Sequence, residues 1–230
     1  MTGSGTGTGT PVLVTYDWVP DLVRGSVRDM RIRWALEELG RPYRVETVPL
    51  GPKSAEHLAM QPFGQVPILK TGDHSLFESG AILLHLASEG TALMPEGQAG
   101  AVTQWLFAAL NSVEPSSFAW VLMRAAKRAP EIFGAAPPEN QIDGAAKRMR
   151  ARLDGVARAL QGRDWLTGQF SAADIAMADV LRVAGADGGL GEHPGLAVYV
   201  ARATARPAFR RAMDAHMAHW DAADAARVPA

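Results

Sequence analysis

The 230-residue sequence contains no cysteine. Without a thiol the chain forms no disulfide, gives zinc no thiolate ligand and runs no redox cycle on a sulfur of its own. It also lacks an excess of charge of either sign, since its net charge is −1 at pH 7. Nucleic acids and membrane surfaces attract proteins through concentrated Lys and Arg, so neither is expected as a partner. The six histidines are scattered without an acid-rich cluster, and we expect no metal site.

Long apolar runs are missing as well. No stretch is long enough to cross a bilayer, and residues 1–10 lack the basic and apolar regions of a secretory signal. These absences predict a cytoplasmic protein. Residues 1–10 alternate Gly with Thr or Ser and are expected to form a disordered tail, because they offer little to bury. Residues 223–230 are expected to be a second tail.

Residues 11–92 alternate strand and helix patterns in the manner of an α/β domain. Short β-branched runs predict strands, and apolar residues at helical spacing predict helices. Gly72 and Asp73 predict a hairpin turn. The expected order is βαβ followed by ββα, with strands at Val12–Tyr16, Tyr43–Val48, Val66–Lys70 and His74–Phe77, and helices at Ser26–Gly40, Ser54–Met60 and Ser79–Ser88.

Residues 93–98 are expected to be a linker, because strand patterns nearly vanish after them and residues 99–222 show helical periodicity. Pro115 is expected to bend or end the first of these helices. Ser171 and Asp174 have the spacing of a capping box at the start of a buried helix. Further helices are expected at Ile142–Leu160, Ile175–Val183, Leu196–Ala203 and Phe209–Trp220, with a loop at residues 129–141.

Four segments, in this order and spacing, resemble the cytosolic glutathione transferases. They are Arg31–Tyr43, Pro62–Leu69, Phe77–Ile82 and Phe170–Ala176. The resemblance implies an α/β plus all-α architecture, with an N-terminal thioredoxin-like domain that binds glutathione and a C-terminal helical domain. It also implies glutathione as co-substrate, a small electrophilic substrate, no metal, and a homodimer.

The same resemblance assigns roles in holding glutathione. It implies a cis bond between Val66 and Pro67, in which the Val66 N–H and C=O pair with the cysteinyl backbone of the tripeptide. Gln65 and Lys53 match positions that meet the glycyl carboxylate, although Lys53 is equally interpreted as a solvated surface lysine. Glu78 and Ser79 stand at a helix start, where unpaired amides favour an anion. Ser79 is expected to take the γ-glutamyl carboxylate and Glu78 its ammonium, the alternative being ordinary helix capping.

The group that activates the glutathione thiol has two main candidates. Relatives place a Tyr, Ser or Cys donor after the first strand, and the absence of cysteine excludes the last type. Ser26 falls where the serine-type classes keep their donor, at a helix N-terminus, whereas Tyr16 ends the first strand as in the tyrosine-type classes. A backbone amide or an Arg is the third alternative.

Other side chains near this segment have two interpretations each. Arg24, Arg28 and Arg31 recur at helical spacing, and they either add positive potential beside the sulfur or form a solvated face paired with acids. Trp18 and Trp120, with Met123, are candidates for an electrophile pocket or for core.

The leading hypothesis is a glutathione transferase in which a bound thiolate attacks a small electrophile. Isomerisation, peroxide reduction and dehalogenation use the same thiolate, and the sequence does not choose among them. The competing hypothesis is a binding or interaction protein that retains the fold without conjugating.

Overall fold

The computed structural model describes residues 9–72, 74–88 and 91–227. Most of the expected N-terminal tail, the hairpin residue Asp73 and residues 228–230 lie outside the described part. The chain divides into two compact units. The first contains the described residues up to Leu86 together with those from Pro207 onward, and the second spans Ala87–Arg206.

The first unit is built on a sheet of four strands in the order β2-β1-β3-β4. The strands are β1 (Val12–Tyr16), β2 (Arg44–Val48), β3 (Ile68–Thr71) and β4 (His74–Phe77). β1 is parallel to β2, and it is antiparallel to β3, which in turn pairs with β4 as a hairpin. The β-branched and apolar side chains of β1 are buried at Val12, Leu13 and Val14, which explains its place inside the sheet.

Three helices of the first unit follow the strands in the predicted order. They are α1 (Asp29–Glu38), α2 (Ala55–Met60) and α3 (Ser79–Leu86). The prediction that the first helix begins at Ser26 is wrong by three residues, because a 3₁₀ turn at Asp21–Val23 and a positive φ of 75° at Gly25 precede it. The helix ends as expected near Gly40, whose φ of 60° suits a residue without a Cβ.

The second unit is all-helical among its described residues. Its helices are α4 (Ala99–Phe107), α5 (Glu114–Arg128), α6 (Pro130–Phe133), α7 (Glu139–Ala159), α8 (Ala172–Ala186) and α9 (Pro194–Thr204). Pro115 does not end the first of them. A π-helical segment at Ala108–Val113 joins α4 to α5. This wider turn of helix precedes Pro115, which has no N–H to donate to a helical hydrogen bond. The expected loop at residues 129–141 contains the short helix α6.

The last helix, α10 (Pro207–Arg227), belongs to the unit that contains the sheet. The ring of Phe209 packs edge-on against that of Trp34 in α1, with centroids 4.8 Å apart, and the Arg211 Nε donates to Glu37 at 2.7 Å. The expected domain of residues 99–222 is therefore divided between the units, and the expected tail from residue 223 is helical up to Arg227. Among the described residues, no helix has both the length and the apolar character needed to span a membrane.

Asp174 anchors the predicted capping box of α8, which the structure confirms. One carboxylate oxygen accepts the N–H and the O–H of Ser171, at 3.0 and 3.1 Å. The other accepts the Leu166 N–H at 3.0 Å and the Tyr199 O–H at 2.8 Å. Burial raises the pKa of the Asp174 carboxyl, against the effect of these donors.

We expect Asp174→Ala to destabilise the protein by about 3 kcal/mol or more, because it leaves several buried donors without an acceptor. Urea unfolding followed by circular dichroism measures the loss. Asp143→Ala, which removes an exposed carboxylate from α7, is the matched control and should change stability by less than about 0.5 kcal/mol. Equal stability of the two variants would contradict the structural role of Asp174.

Candidate active site

The peptide bond between Val66 and Pro67 is cis, as the sequence resemblance implied. It lies immediately before β3, whose first residue Ile68 is already paired with Val14 and Phe77. Within the described residues, neither the N–H nor the C=O of Val66 makes a hydrogen bond to the protein. This segment therefore presents a backbone donor and acceptor next to a strand of fixed register, which is the requirement for pairing with an extended peptide.

Two side chains fix the connection that leads to Val66. His57, which is fully buried in α2, has its Nε2 2.9 Å from the Gln65 carbonyl oxygen. Since that oxygen only accepts, the ring nitrogen carries the proton. The Gln61 side-chain oxygen accepts the N–H of Phe63 at 2.6 Å and that of Gln65 at 3.2 Å. No sequence pattern singles out Gln61 for this role.

Glu78 and Ser79 form the junction between β4 and α3. Glu78 has a φ of 67°, the only positive φ of a non-glycine among the described residues. Such a conformation costs on the order of 1–3 kcal/mol and is found most often at functional sites. It leaves the Glu78 side chain exposed, while Ser79, 5% exposed, begins the helix.

The Ser79 hydroxyl is held by a buried cation. Arg31, 2% exposed, donates from Nη1 to Ser79 Oγ at 3.2 Å. Because the serine oxygen accepts this bond, its own proton is left to donate to a ligand. A guanidinium, a hydroxyl donor and the first amides of a helix together suit a carboxylate. The sequence placed Arg31 in a family motif but gave it no part in holding Ser79.

The side chains of Tyr16 and Lys53 contact each other beside Gly64. The Lys53 ammonium lies 4.5 Å from the centroid of the Tyr16 ring and 3.5 Å from its hydroxyl, which is also 3.5 Å from the Gly64 carbonyl oxygen. A Cβ on Gly64 would come within 2.9 Å of the Lys53 side chain, so the glycine permits this approach. Burial raises the pKa of the Tyr16 phenol and lowers that of the Lys53 ammonium. Lys53 is therefore not simply a solvated lysine.

Ser26 lies in the segment between the 3₁₀ turn and α1, not at the first turn of the helix as expected. Its hydroxyl donates to the Val23 carbonyl oxygen at 2.6 Å, and its N–H points to the same oxygen at 3.1 Å. In the described contacts Ser26 meets none of the other predicted site residues. The structure thus groups Tyr16 with Lys53 and leaves Ser26 separate.

Two of the three arginines at helical spacing, Arg24 and Arg31, do not lie on a solvated face. The side chain of Arg24 is 8% exposed and is paired with Asp21 and Asp224. Arg31 is buried against Ser79 as described. Trp120, expected in an electrophile pocket or in the core, is 7% exposed.

A shallow groove of about 470 Å³ in the first unit is lined by other residues. They are Arg33, Glu37, Arg41, Pro42, Tyr43, Val45, Ala215 and His219. None of them is a predicted glutathione ligand, and a tripeptide that pairs with backbone needs an unpaired edge more than a deep cavity. We therefore place the candidate site at Val66 and Ser79.

Comparison with known proteins identifies the family. The sequence model of the glutathione S-transferase N-terminal domain matches residues 22–88. The probable glutathione S-transferase GSTF2 of Oryza sativa subsp. japonica is 33% identical over 159 residues, which cover 65% of this chain and 70% of the relative. Glutathione S-transferase 4 of Zea mays is 32% identical over 178 residues, covering 72% and 74%.

Solved structures confirm the predicted fold. A glutathione S-transferase from Pseudomonas fluorescens superposes with a TM-score of 0.72 at 27% identity, covering 87% of this chain and 97% of that one. Nothing in these comparisons favours the non-catalytic hypothesis. The chain belongs to the glutathione S-transferase family and is a glutathione transferase.

Proposed function

We propose that glutathione lies across Val66 and Ser79 in the first unit. The Val66 N–H and C=O pair with the cysteinyl backbone, and Ser79 donates to the γ-glutamyl carboxylate while Glu78 takes the ammonium. Gln65 and Lys53 bind the glycyl carboxylate, and Pro67 sets the direction of the backbone at Val66. The observation that carries this proposal is the Ser79 hydroxyl, which Arg31 holds at the start of α3 with its proton left to donate.

Ser26 is the proposed donor to the sulfur. At neutral pH only a few per cent of a free thiol of pKa about 8.5 is ionised, so a donor that stabilises the thiolate raises the reactive fraction. The Ser26 hydroxyl must first leave the Val23 carbonyl oxygen. A neutral hydrogen bond is worth about 0.5–1.5 kcal/mol and one to a charged group about 1.5–3 kcal/mol, so the exchange favours the thiolate.

Tyr16 is the second candidate, because its hydroxyl lies 3.5 Å from the carbonyl oxygen of Gly64, one residue before the proposed glutathione-binding residues Gln65, Val66 and Pro67. Burial keeps the phenol protonated and therefore able to donate. In either case the thiol releases its proton to water, the thiolate sulfur forms a bond to the electrophilic carbon, and the bond from that carbon to the leaving group breaks, with the leaving group taking the electron pair.

The electrophile is proposed to be a small alkyl or aryl compound, and the biological role detoxification. We place the enzyme in the cytoplasm, the compartment in which glutathione is kept reduced.

Ser79→Ala should weaken glutathione binding about ten- to a hundred-fold, because a charge-assisted hydrogen bond is lost. Isothermal titration calorimetry with glutathione measures the dissociation constant. Ser75→Ala, at an exposed position of β4, is the control and should bind as the parent does. An unchanged affinity in Ser79→Ala would rule out its role.

Ser26→Ala should raise the pKa of the bound thiol by about 1–2 units and lower kcat about ten- to a hundred-fold, with the affinity for glutathione preserved. The pKa is read from the ultraviolet absorbance of the thiolate in the binary complex. Tyr16→Phe is made in parallel. If Tyr16→Phe has this effect and Ser26→Ala does not, Tyr16 is the donor.

We also propose a homodimer. Apolar side chains are exposed on both units, with Phe63 69% and Phe107 51% exposed, and a second copy would cover such surface. Sedimentation equilibrium at micromolar concentration should give twice the chain mass of 24.5 kDa. A monomer mass would contradict the proposal.

A further inference from the structure

The segment between β1 and α1, residues 17–28, carries Ser26 and is here called the activation loop. Its internal structure is slight: the 3₁₀ turn at Asp21–Val23 is its one regular element. At its start, the Asp17 N–H donates to the Val48 carbonyl oxygen at 2.9 Å. Much of the remaining support comes from α10, from residues about two hundred positions later in the sequence.

Asp224 of α10 holds the middle of the activation loop. Its two carboxylate oxygens accept from Arg24 Nη1 and Nη2 at 2.6 and 2.7 Å, a two-pronged geometry that fixes orientation as well as distance. The same carboxylate accepts from Trp18 Nε1 at 2.8 Å. Hydrogen bonds from Arg24 and then Trp18 lower the pKa of Asp224 to about 2, so it is ionised throughout the working range of the enzyme. The Arg24 Nε donates in turn to the Val19 carbonyl oxygen at 3.2 Å.

His216 of α10 holds the end of the loop. Its Nε2 accepts the N–H of Gly25, the residue directly before Ser26, at 3.2 Å. A nitrogen that accepts from a backbone amide carries no proton, so the ring is neutral with its proton on Nδ1. Nδ1 lies 3.4 Å from Asp29 Oδ2, a contact that is not a well-formed hydrogen bond.

The groups around His216 favour that arrangement. Asp29 and His216 are both fully buried, and the Arg33 Nε donates to the same Asp29 oxygen at 2.8 Å. Burial alone would raise the pKa of the Asp29 carboxyl, but His216 and Arg33 lower it below its usual value. The ring of Trp220 meets that of His216 edge-on. An ionised Asp29 keeps the His216 proton on Nδ1 and leaves Nε2 as the acceptor for Gly25.

A third residue of α10 reaches the strand that leads into the loop. His219 has its Nε2 2.9 Å from the Tyr16 carbonyl oxygen, and because that oxygen only accepts, this ring nitrogen carries the proton. The same helix therefore contacts the chain immediately before the loop, in its middle and next to Ser26.

We propose that His216 and Asp224 are positioning residues for thiol activation: α10 holds the backbone of the activation loop in place, so that the Ser26 hydroxyl, once turned away from the Val23 carbonyl oxygen, reaches the sulfur of bound glutathione. This inference rests on Ser26 as the donor. A displacement of about 1 Å in a catalytic group costs on the order of a hundred-fold in rate, and a loop with little structure of its own does not keep such precision unaided.

The test measures two quantities in each variant: the pKa of the glutathione thiol in the binary complex, and hydrogen exchange of the activation-loop amides by mass spectrometry. Glutathione affinity is recorded alongside, because no described hydrogen bond joins Val66 or Ser79 to α10. Asp224 is half exposed, so Asp224→Ala removes the support without opening the core. Asp214→Ala, at an exposed position of the same helix, is the matched control.

Two substitutions of His216 distinguish the acceptor role of its Nε2 from a merely structural role. Counting bonds from Cβ, a Gln amide oxygen falls where the His Nε2 lies, whereas an Asn amide reaches only the position of Nδ1. His216→Gln therefore retains the acceptor for Gly25, and His216→Asn loses it. A merely structural role would make the two variants alike in thiol pKa after any common loss of stability.

The expected result is that Asp224→Ala and His216→Asn raise the thiol pKa by about one unit, a roughly ten-fold loss of thiolate below that pKa, with faster exchange in the loop and unchanged affinity. His216→Gln and Asp214→Ala should keep the thiol pKa near that of the parent protein.

If Ser26→Ala raises the thiol pKa and Asp224→Ala does not, the positioning role is wrong and Ser26 remains the donor. If Ser26→Ala itself has no effect, the donor assignment fails, and this inference fails with it. Should His216→Asn not fold, Asp224→Ala decides the question.

Discussion

The proposed glutathione site depends on one peptide segment whose polar groups remain unpaired while both of its neighbours are fixed. Val66 is nearly buried, yet its N–H and C=O have no partner among the described residues. On one side Ile68 is locked into the sheet by Val14 and Phe77. On the other side His57 holds the Gln65 carbonyl. An extended peptide that pairs with Val66 replaces water at these two groups, and each such hydrogen bond contributes about 0.5–1.5 kcal/mol.

The chemistry has a different physical origin from the binding. The proposed tripeptide site is built on the residues before β3 and the start of α3, whereas the proposed sulfur donor lies on a loop whose one regular element is a 3₁₀ turn. One charged pair joins that loop to α10, since Arg24 is paired with Asp224.

Features formed by residues close together in the chain could be predicted from local sequence patterns. The strands and the capping box at Ser171 were predictable from local patterns, because their residues lie close together in sequence, whereas the cis bond before Pro67 was implied by the family resemblance. The start of α1 was wrong because Ser26 has the chemistry of an N-cap, and only the backbone shows that Gly25 turns the chain first. Pro115 was expected to bend or end a helix, and it follows a π-helical segment that joins two helices.

Contacts between residues far apart in the chain could not be predicted from the sequence. The bond from Arg31 to Ser79 joins residues 48 positions apart, and that from Gly25 to His216 joins residues 191 apart. Neither has a periodic signature, because packing and not spacing brings these groups together. The resemblance to known transferases supplied the roles of Val66 and Ser79, but it carried no information on what holds the activation loop.

A crystal structure of the protein with glutathione would decide where the tripeptide and its sulfur lie. We expect the cysteinyl N–H and C=O to pair with Val66, the γ-glutamyl carboxylate to contact Ser79, and Ser26 Oγ, turned away from Val23, to be the hydroxyl nearest to the sulfur. A tripeptide bound elsewhere, or a sulfur whose nearest hydroxyl is that of Tyr16, would contradict this expectation.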